Sequence, residues 1–476
     1  MVLKSKVIIK RFKNFENIPI LPFLGSLNLL NQKEKIYYGM GRFGSSVMLN
    51  LVSLFTLYVY IKYFALSGLY TGLAAGLGKL SIAFASWLSG YFSDITPNNR
   101  FGRRRVWVIF CTPLLAFFFI MQFSPQLFVP LGNEVLVFIY LAIFGSGFQA
   151  CYALLTTPFQ AWMPEVVPES DRIEVSGYQN TANFIGNLVG TALGFLLPSL
   201  IGDPETADIL GSAGIILLVC VLIIAGIELV FYLPSIFWVP DPPRENIPPP
   251  NPLRELKIIL ANRNYVSWIL VNGVHTIGLT SLASIVLIYI EDVLKFEVTE
   301  YIIFGIILFG TLILMFIFWG YFSNHYSKTR TYLVSQLYLA LVLPSTLIVG
   351  QGVIPLPLLI QGIIFALLLA IGMSGYFILP YAIMGDIVEK DEKDTGEIRS
   401  GHYTGFFGFP LNIFQAGAVV LTGILVDEEI LPLVTGEEYT IGLILWGPIC
   451  GIFILLATIL FYFFVNADPL KKAKNL

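Results

Sequence analysis

Charge is scarce in this chain. Only 12% of its 476 residues are Asp, Glu, Lys or Arg, against about a quarter in a soluble domain, which excludes an ordinary water-exposed globule. The four cysteines (Cys111, Cys151, Cys220, Cys450) show no paired spacing, so neither a disulfide framework nor a zinc site is expected. There is no P-loop, no metal-ligand cluster and no nucleophile–base motif, which argues against an enzyme and an ATP-driven pump. No cofactor or metal is expected, and a net charge of −3 does not point to nucleic acid. Residues 1–37 lack a continuous apolar segment followed by a small-residue cleavage site, so no signal peptide is expected. Their stretch VLKSKVIIKRFKNF reads either as an amphipathic anchor on a lipid bilayer or as a solvated tail.

What the chain does have is long apolar runs. Stretches of roughly 20 residues cross a bilayer core about 30 Å thick as helices, and runs without period-2 alternation exclude a barrel. Twelve transmembrane helices are predicted, at 38–64, 69–93, 104–124, 133–163, 174–201, 210–239, 265–291, 298–323, 330–351, 355–386, 401–427 and 438–465. An even number puts both termini on one side. The odd-numbered connections contain one basic residue, Lys295, whereas Arg103, Arg104, Arg105, Lys328, Arg330, Lys390, Lys393 and Arg399 fall on the other side. Positive residues stay in the cytoplasm, so a multi-pass protein of the cell membrane with both termini cytoplasmic is expected.

The chain also repeats itself. Gly90-Tyr91-Phe92-Ser93 returns as Gly320-Tyr321-Phe322-Ser323, an offset of 230 (320 − 90), each time ahead of a polar loop ending in basic residues. A second echo runs from Met163 to Val167 and from Met384 to Val388, each followed by acids, an arginine and Ser-Gly before a tyrosine. The predicted organisation is an N-terminal tail (1–37), a six-helix bundle (38–240), a proline-rich cytoplasmic loop (241–264), a second six-helix bundle (265–465) and a C-terminal tail (466–476). A short surface helix is predicted over 253–261. Two similar halves joined head to tail characterise transporters that rock two bundles about a central solute site.

Two groups of residues carry chemistry. Gly90, Asp94, Arg103, Arg104 and Arg105, with Asp386, Asp391 and Arg399 in the second half, are expected to form a cytoplasmic gate; the plainer alternative is a set of topology signals and a solvated charge run. A cation at mid-membrane costs about 2.5–3.5 kcal/mol on insertion scales, so Lys79 is expected to meet substrate or to gate, unless it is a structural pair. Gln149, Tyr152, Asn183, Asn187, Asn412 and Gln415 recur near mid-depth and suit a sugar's hydroxyls, or else join helices. His275 is either a titrating group or a packed one. Glu228 reads as a structural carboxyl or a proton carrier, and Arg42 is expected to snorkel.

The stretch 380–409 carries Pro380-Tyr381, Asp386-Ile387-Val388, Asp391-Glu392, Thr395-Gly396, Arg399 and Gly401. With Gly90 to Arg105 and the opening YYGMGRFG, it resembles the glycoside-pentoside-hexuronide:cation symporter family, the melibiose-permease-like branch of the major facilitator superfamily. The resemblance implies a major facilitator fold of two pseudo-symmetric six-helix bundles, alternating access, a small carbohydrate solute and a coupling proton or sodium ion. It also implies that Lys79 sits where the family often has a basic residue. The family's cation-site aspartates correspond to Ile82, Ser86 and Thr156 here, its sugar-binding aspartate falls near Ser46 and its fifth-span arginine near Asn180. None is charged. These departures weigh against a melibiose-type sodium site and a galactoside. They keep two rivals open: a lipid or amphipathic solute, as in the similar lysolipid carriers, and a non-transporting membrane sensor.

Overall fold

The computed structural model describes residues 30–97, 100–168, 171–204, 206–241, 257, 259–395 and 400–465. Most of 1–37, most of 241–264, all of 466–476 and Arg399 lie outside them, and so does most of the surface helix expected over 253–261.

The apolar runs form helices: α1 (Gln32–Lys62, with a turn at Gly41), α2 (Gly68–Ile95), α3 (Arg105–Gln122), α4 (Glu134–Val166), α5 (Arg172–Ile201), α6 (Ser212–Trp238), α7 (Arg263–Asp292), α8 (Val298–Tyr326), α9 (Lys328–Val342), α10 (Leu358–Thr395), α11 (Ser400–Val426) and α12 (Gly442–Phe464). Among the described residues, 10 helices are long and apolar enough to cross a membrane. Of the others, α9 has 15 residues and is continued by a 3-10 turn, Leu343–Leu347. Glycines and Lys79 dilute the hydropathy of α2. The first helix starts at Gln32, ahead of the expected 38, because Asn31 and Glu34 form a capping box that satisfies the first backbone N–H groups.

The repeat seen in the sequence is a repeat of structure. Helices α2 and α8 begin 230 residues apart (298 − 68). Ahead of them Ala65 (φ 50°) and Lys295 (φ 53°) make the same left-handed turn. Ser93 donates to the Gly90 carbonyl at 3.0 Å, and Ser323 to that of Gly320 at 2.9 Å. Packing repeats too: α1 lies on α5, α2 on α4 and α3 on α6, as α7 lies on α11, α8 on α10 and α9 on α12. Six helices therefore form each bundle.

The bundles meet along three seams, α2–α11, α5–α8 and α1–α7. At the first, Gly68, Gly72 and Gly423 bring two backbones into contact: a Cβ on Gly423 would come within 2.9 Å of the Gly72 Cα. Small residues permit such an approach between membrane helices. At the second seam Phe195 packs between Phe304 (5.9 Å) and Phe309 (6.2 Å). These glycine and Phe195 contacts lie toward the far face, opposite the tail face where the described chain begins and ends, and the rings Phe84–Phe409 (5.6 Å) and Phe184–Phe316 (5.4 Å) continue both seams past mid-depth.

Candidate functional site

Between the bundles lies a cavity of about 940 Å³ whose two walls differ in chemistry. Asn50, Lys79, Gln149, Asn183 and Asn187 put most of the polar groups on the first bundle's wall, while Phe309, Phe316, Tyr376, Phe377, Tyr381 and Phe407 set six rings among the mostly aliphatic side chains of the second. A shallower depression beside Glu34, Arg105 and Trp238 sits away from the bundle interface.

The polar wall is set by how α5 meets α1. Gly186 and Gly190 have no side chains to hold the helices apart, so α5 rests against the Phe43 and Val47 carbonyls. Asn183 and Asn187, one turn apart, then face α1. Ser46 donates to Asn183 Oδ1 at 2.6 Å and Asn50 to Asn187 Oδ1 at 2.5 Å. The amides therefore do join helices, while their N–H2 groups have no hydrogen-bond partner among the described residues. Gln149 Oε1, Gln122 Oε1 and Asn272 Oδ1 are buried acceptors without a protein partner, and all three residues line the cavity. Buried polar atoms are otherwise almost always bonded, and because these three oxygens are closed even to water, a solute hydroxyl reaches them only if the side chains turn toward the cavity.

The residues expected at the site are not all there. Lys79, Gln149, Asn183, Asn187 and Gln415 line the cavity. Tyr152 lies toward the tail face and accepts a 3.3 Å bond from Arg42. Arg42 is 8% exposed and so does not snorkel; the ring gives it a partner inside. His275 stands behind the wall, bonded to Gln336 Oε1 at 2.6 Å and stacked on Tyr376 with centroids 4.2 Å apart. It holds that ring in place. Asn412 donates to Gly408 of its own helix. Glu228 is buried against Gly44 of α1 and outside the cavity. Sequence reasoning missed Asn50, Ser53, Asn272 and Tyr376, whose helical phase relative to the cavity no local motif reveals.

Among the described residues, the expected gate residues form two clamps whose partners belong to the same bundle. Arg104 donates to Glu165 (2.8 Å), Asp94 (2.5 Å) and Ser93, and Arg103 to Glu165 (2.5 Å). Gly102 (φ 93°) turns the chain so that the backbone N–H groups of Arg104 and Arg105 meet Asp241 at 2.9 and 3.0 Å. Asp241 thus faces the positive end of α3. Burial pushes the Asp241 carboxyl up from its ordinary value, and those N–H groups pull it partly back. Arg105 also donates to the Val239 carbonyl. In the second bundle Lys328 pairs with Asp386 at 2.6 Å, and Asp391 accepts from Asn262 (3.1 Å) and Tyr403 (2.8 Å). A Cβ on Gly90 would touch only Thr157 of its own bundle.

Among the described residues, the polar links between bundles lie at the far face. Tyr58 donates to Glu291, Lys62 pairs with Asp292, and the Leu69 N–H donates to Asp427 at 2.8 Å. Lys62 and Asp292 are 230 positions apart (292 − 62), so equivalent positions of the two halves meet across the pseudo-two-fold axis with opposite charges. Lys62→Asp would face Glu291 and Asp292 with a third acid and open this face. The double variant Lys62→Asp, Asp292→Lys is expected to close it again. Cysteine labelling of position 53 from the far side reads both: fast in the single variant, slow in the double. Equal rates contradict the lock.

The family model described as MFS/sugar transport protein matches residues 37–466. An uncharacterized symporter of Synechocystis sp. is 21% identical over 475 residues, covering 82% of this chain and 86% of the relative. The isoprimeverose transporter of Lactiplantibacillus pentosus is 21% identical over 402 residues, covering 84% and 81%. The crystal structure of a D-xylose-proton symporter superposes with a TM-score of 0.65 at 14% identity, over 91% of this chain and 97% of that one. A likeness at that identity speaks for the fold.

Proposed function

The chain belongs to the MFS/sugar transport protein family, and on that premise we propose that this membrane transporter carries a sugar-like solute by alternating access. One observation carries the reading: a cavity at the bundle interface lined by both amide side chains, most of them on the first bundle, and aromatic rings, most of them on the second. A sugar ring presents hydroxyls at its edge and C–H groups on its faces, which suits both walls. The name of one relative, an isoprimeverose transporter, supports a glycoside.

Lys79, Gln149, Asn183, Asn187 and Gln415 meet the solute, with Tyr376 held for it by His275. The excess of Lys and Arg at the tail face supports a cytoplasmic location for that face, so this conformation is inward-facing with its outer side latched. The two clamps keep the cytoplasmic helix ends rigid as the bundles rock. A coupling proton or sodium ion is proposed from the symporters among the relatives. No Asp or Glu occurs among the described lining residues, so any carboxylate that holds such a cation lies off the described cavity wall.

The test is counterflow of labelled pentosides and hexosides into proteoliposomes, at several pH values and with and without sodium. Accumulation of at least one sugar is expected. No flux of any of them under any condition contradicts the proposal.

A further inference from the structure

The cavity has an unbalanced charge. Among its described lining residues Lys79 alone is ionic. It lies near the middle of α2, and its Nζ has only a long 3.5 Å contact with the Ser53 hydroxyl. The buried carboxyls are spoken for or out of reach: Asp427 accepts from the Leu69 N–H at the far face, and Glu228 sits outside the cavity, behind α1. Neither forms an ion pair with Lys79, and the facing wall offers phenol, amide and ring atoms but no carboxylate.

Water can solvate the ammonium while the cavity is open to the tail face. In alternating access both faces close in turn, and an ammonium sealed away from bulk water without a counter-charge is strongly disfavoured. A neutral sugar would leave that charge unmatched at the moment of closure. A solute bearing one negative charge would match it and make the sealed cavity neutral.

Building on the sugar-transport reading above, we infer that the solute is a monoanion, with a carboxylate, sulfonate or phosphate group placed against Lys79. Its hydroxyls meet the Asn183 and Asn187 amides, and its less polar face lies on Tyr376 and Phe377. The loaded carrier then reorients more readily than the empty one, so exchange of anions outpaces net uptake.

The same chemistry occurs in a soluble sugar acid and in a lipid headgroup, and the assay separates them. Proteoliposomes holding the full chain are assayed by counterflow with labelled glucuronate, glucose and lysophosphatidylglycerol. Glucuronate is expected to move at least tenfold faster than glucose. That ratio falls at least tenfold in Lys79→Met and is retained in Lys79→Arg, and a ratio measured within one preparation cancels differences in folded yield. Movement of the lysolipid alone, dependent on Lys79, supports the anion with a lipid source. Glucose moving as fast as glucuronate, or an unchanged ratio in Lys79→Met, overturns the inference while leaving transport standing. If none of the three moves, yet the pentosides and hexosides of the earlier assay do, the inference fails alone. If nothing moves in either assay, the transport reading fails with it.

Discussion

Gly423→Phe is expected to abolish transport while leaving a folded, membrane-inserted protein. At this position two helix backbones from different bundles touch: even a Cβ would come within 3.1 Å of the Gly72 amide nitrogen and 2.9 Å of its Cα. Neither atom belongs to a flexible side chain that could swing away. A phenyl ring therefore needs the helices to separate, and the seam between α2 and α11 is the longest contact between the bundles. Each bundle keeps its own core, because Gly423 lies at the boundary between them. The carrier is then held open at the far face and cannot complete a cycle. Counterflow is expected to fall more than tenfold, and a cysteine at position 53 becomes reactive from the far side. Wild-type counterflow in this variant contradicts the account of how that face closes.

Glu165→Leu is expected to destabilise the first bundle by about 3–5 kcal/mol, the cost of stranding buried charges by removing their partner. Arg103 and Arg104 both donate to this one carboxylate, with side chains 8% and 4% exposed. Arg104 would keep Asp94, whose side chain is 43% exposed, and so retain part of its compensation. The second bundle supplies the control. Lys328 and Asp386 are 44% and 24% exposed, so Lys328→Met removes a solvated pair and is expected to cost no more than about 1 kcal/mol. Unfolding of both variants in the same detergent gives the comparison. Equal shifts mean that burial does not set the strength of these clamps.

The helices and the repeat were legible because their signals are local. Apolar length marks a span, and Gly90-Tyr91-Phe92-Ser93 returns at an offset that the starts of α2 and α8 share. Lys79 drew attention through its cost in lipid, and Gln149, Asn183 and Asn187 through their depth. The latch was illegible for an equally physical reason. Lys62, Glu291 and Asp292 look like ordinary charges at span ends until two halves are brought together across an axis that no single segment contains. Helical phase hid the rest: His275 and Tyr376 touch, yet only Tyr376 lines the cavity. The clamps show the same limit. Asp94 and Arg104 were recognisable as a group, but Glu165 and Asp241, which hold that group together, come from the ends of other helices.

The most direct test measures both faces in one preparation. Spin labels at Phe128 and Val353, exposed far-face positions on different bundles, report one distance; labels at Ile95 and Tyr326, exposed at the tail face, report the other. Adding a transported sugar should lengthen the first distance and shorten the second in the same fraction of molecules. Two bundles rocking about a shared site predict that reciprocity. Distances that change independently, or in the same direction, would contradict it.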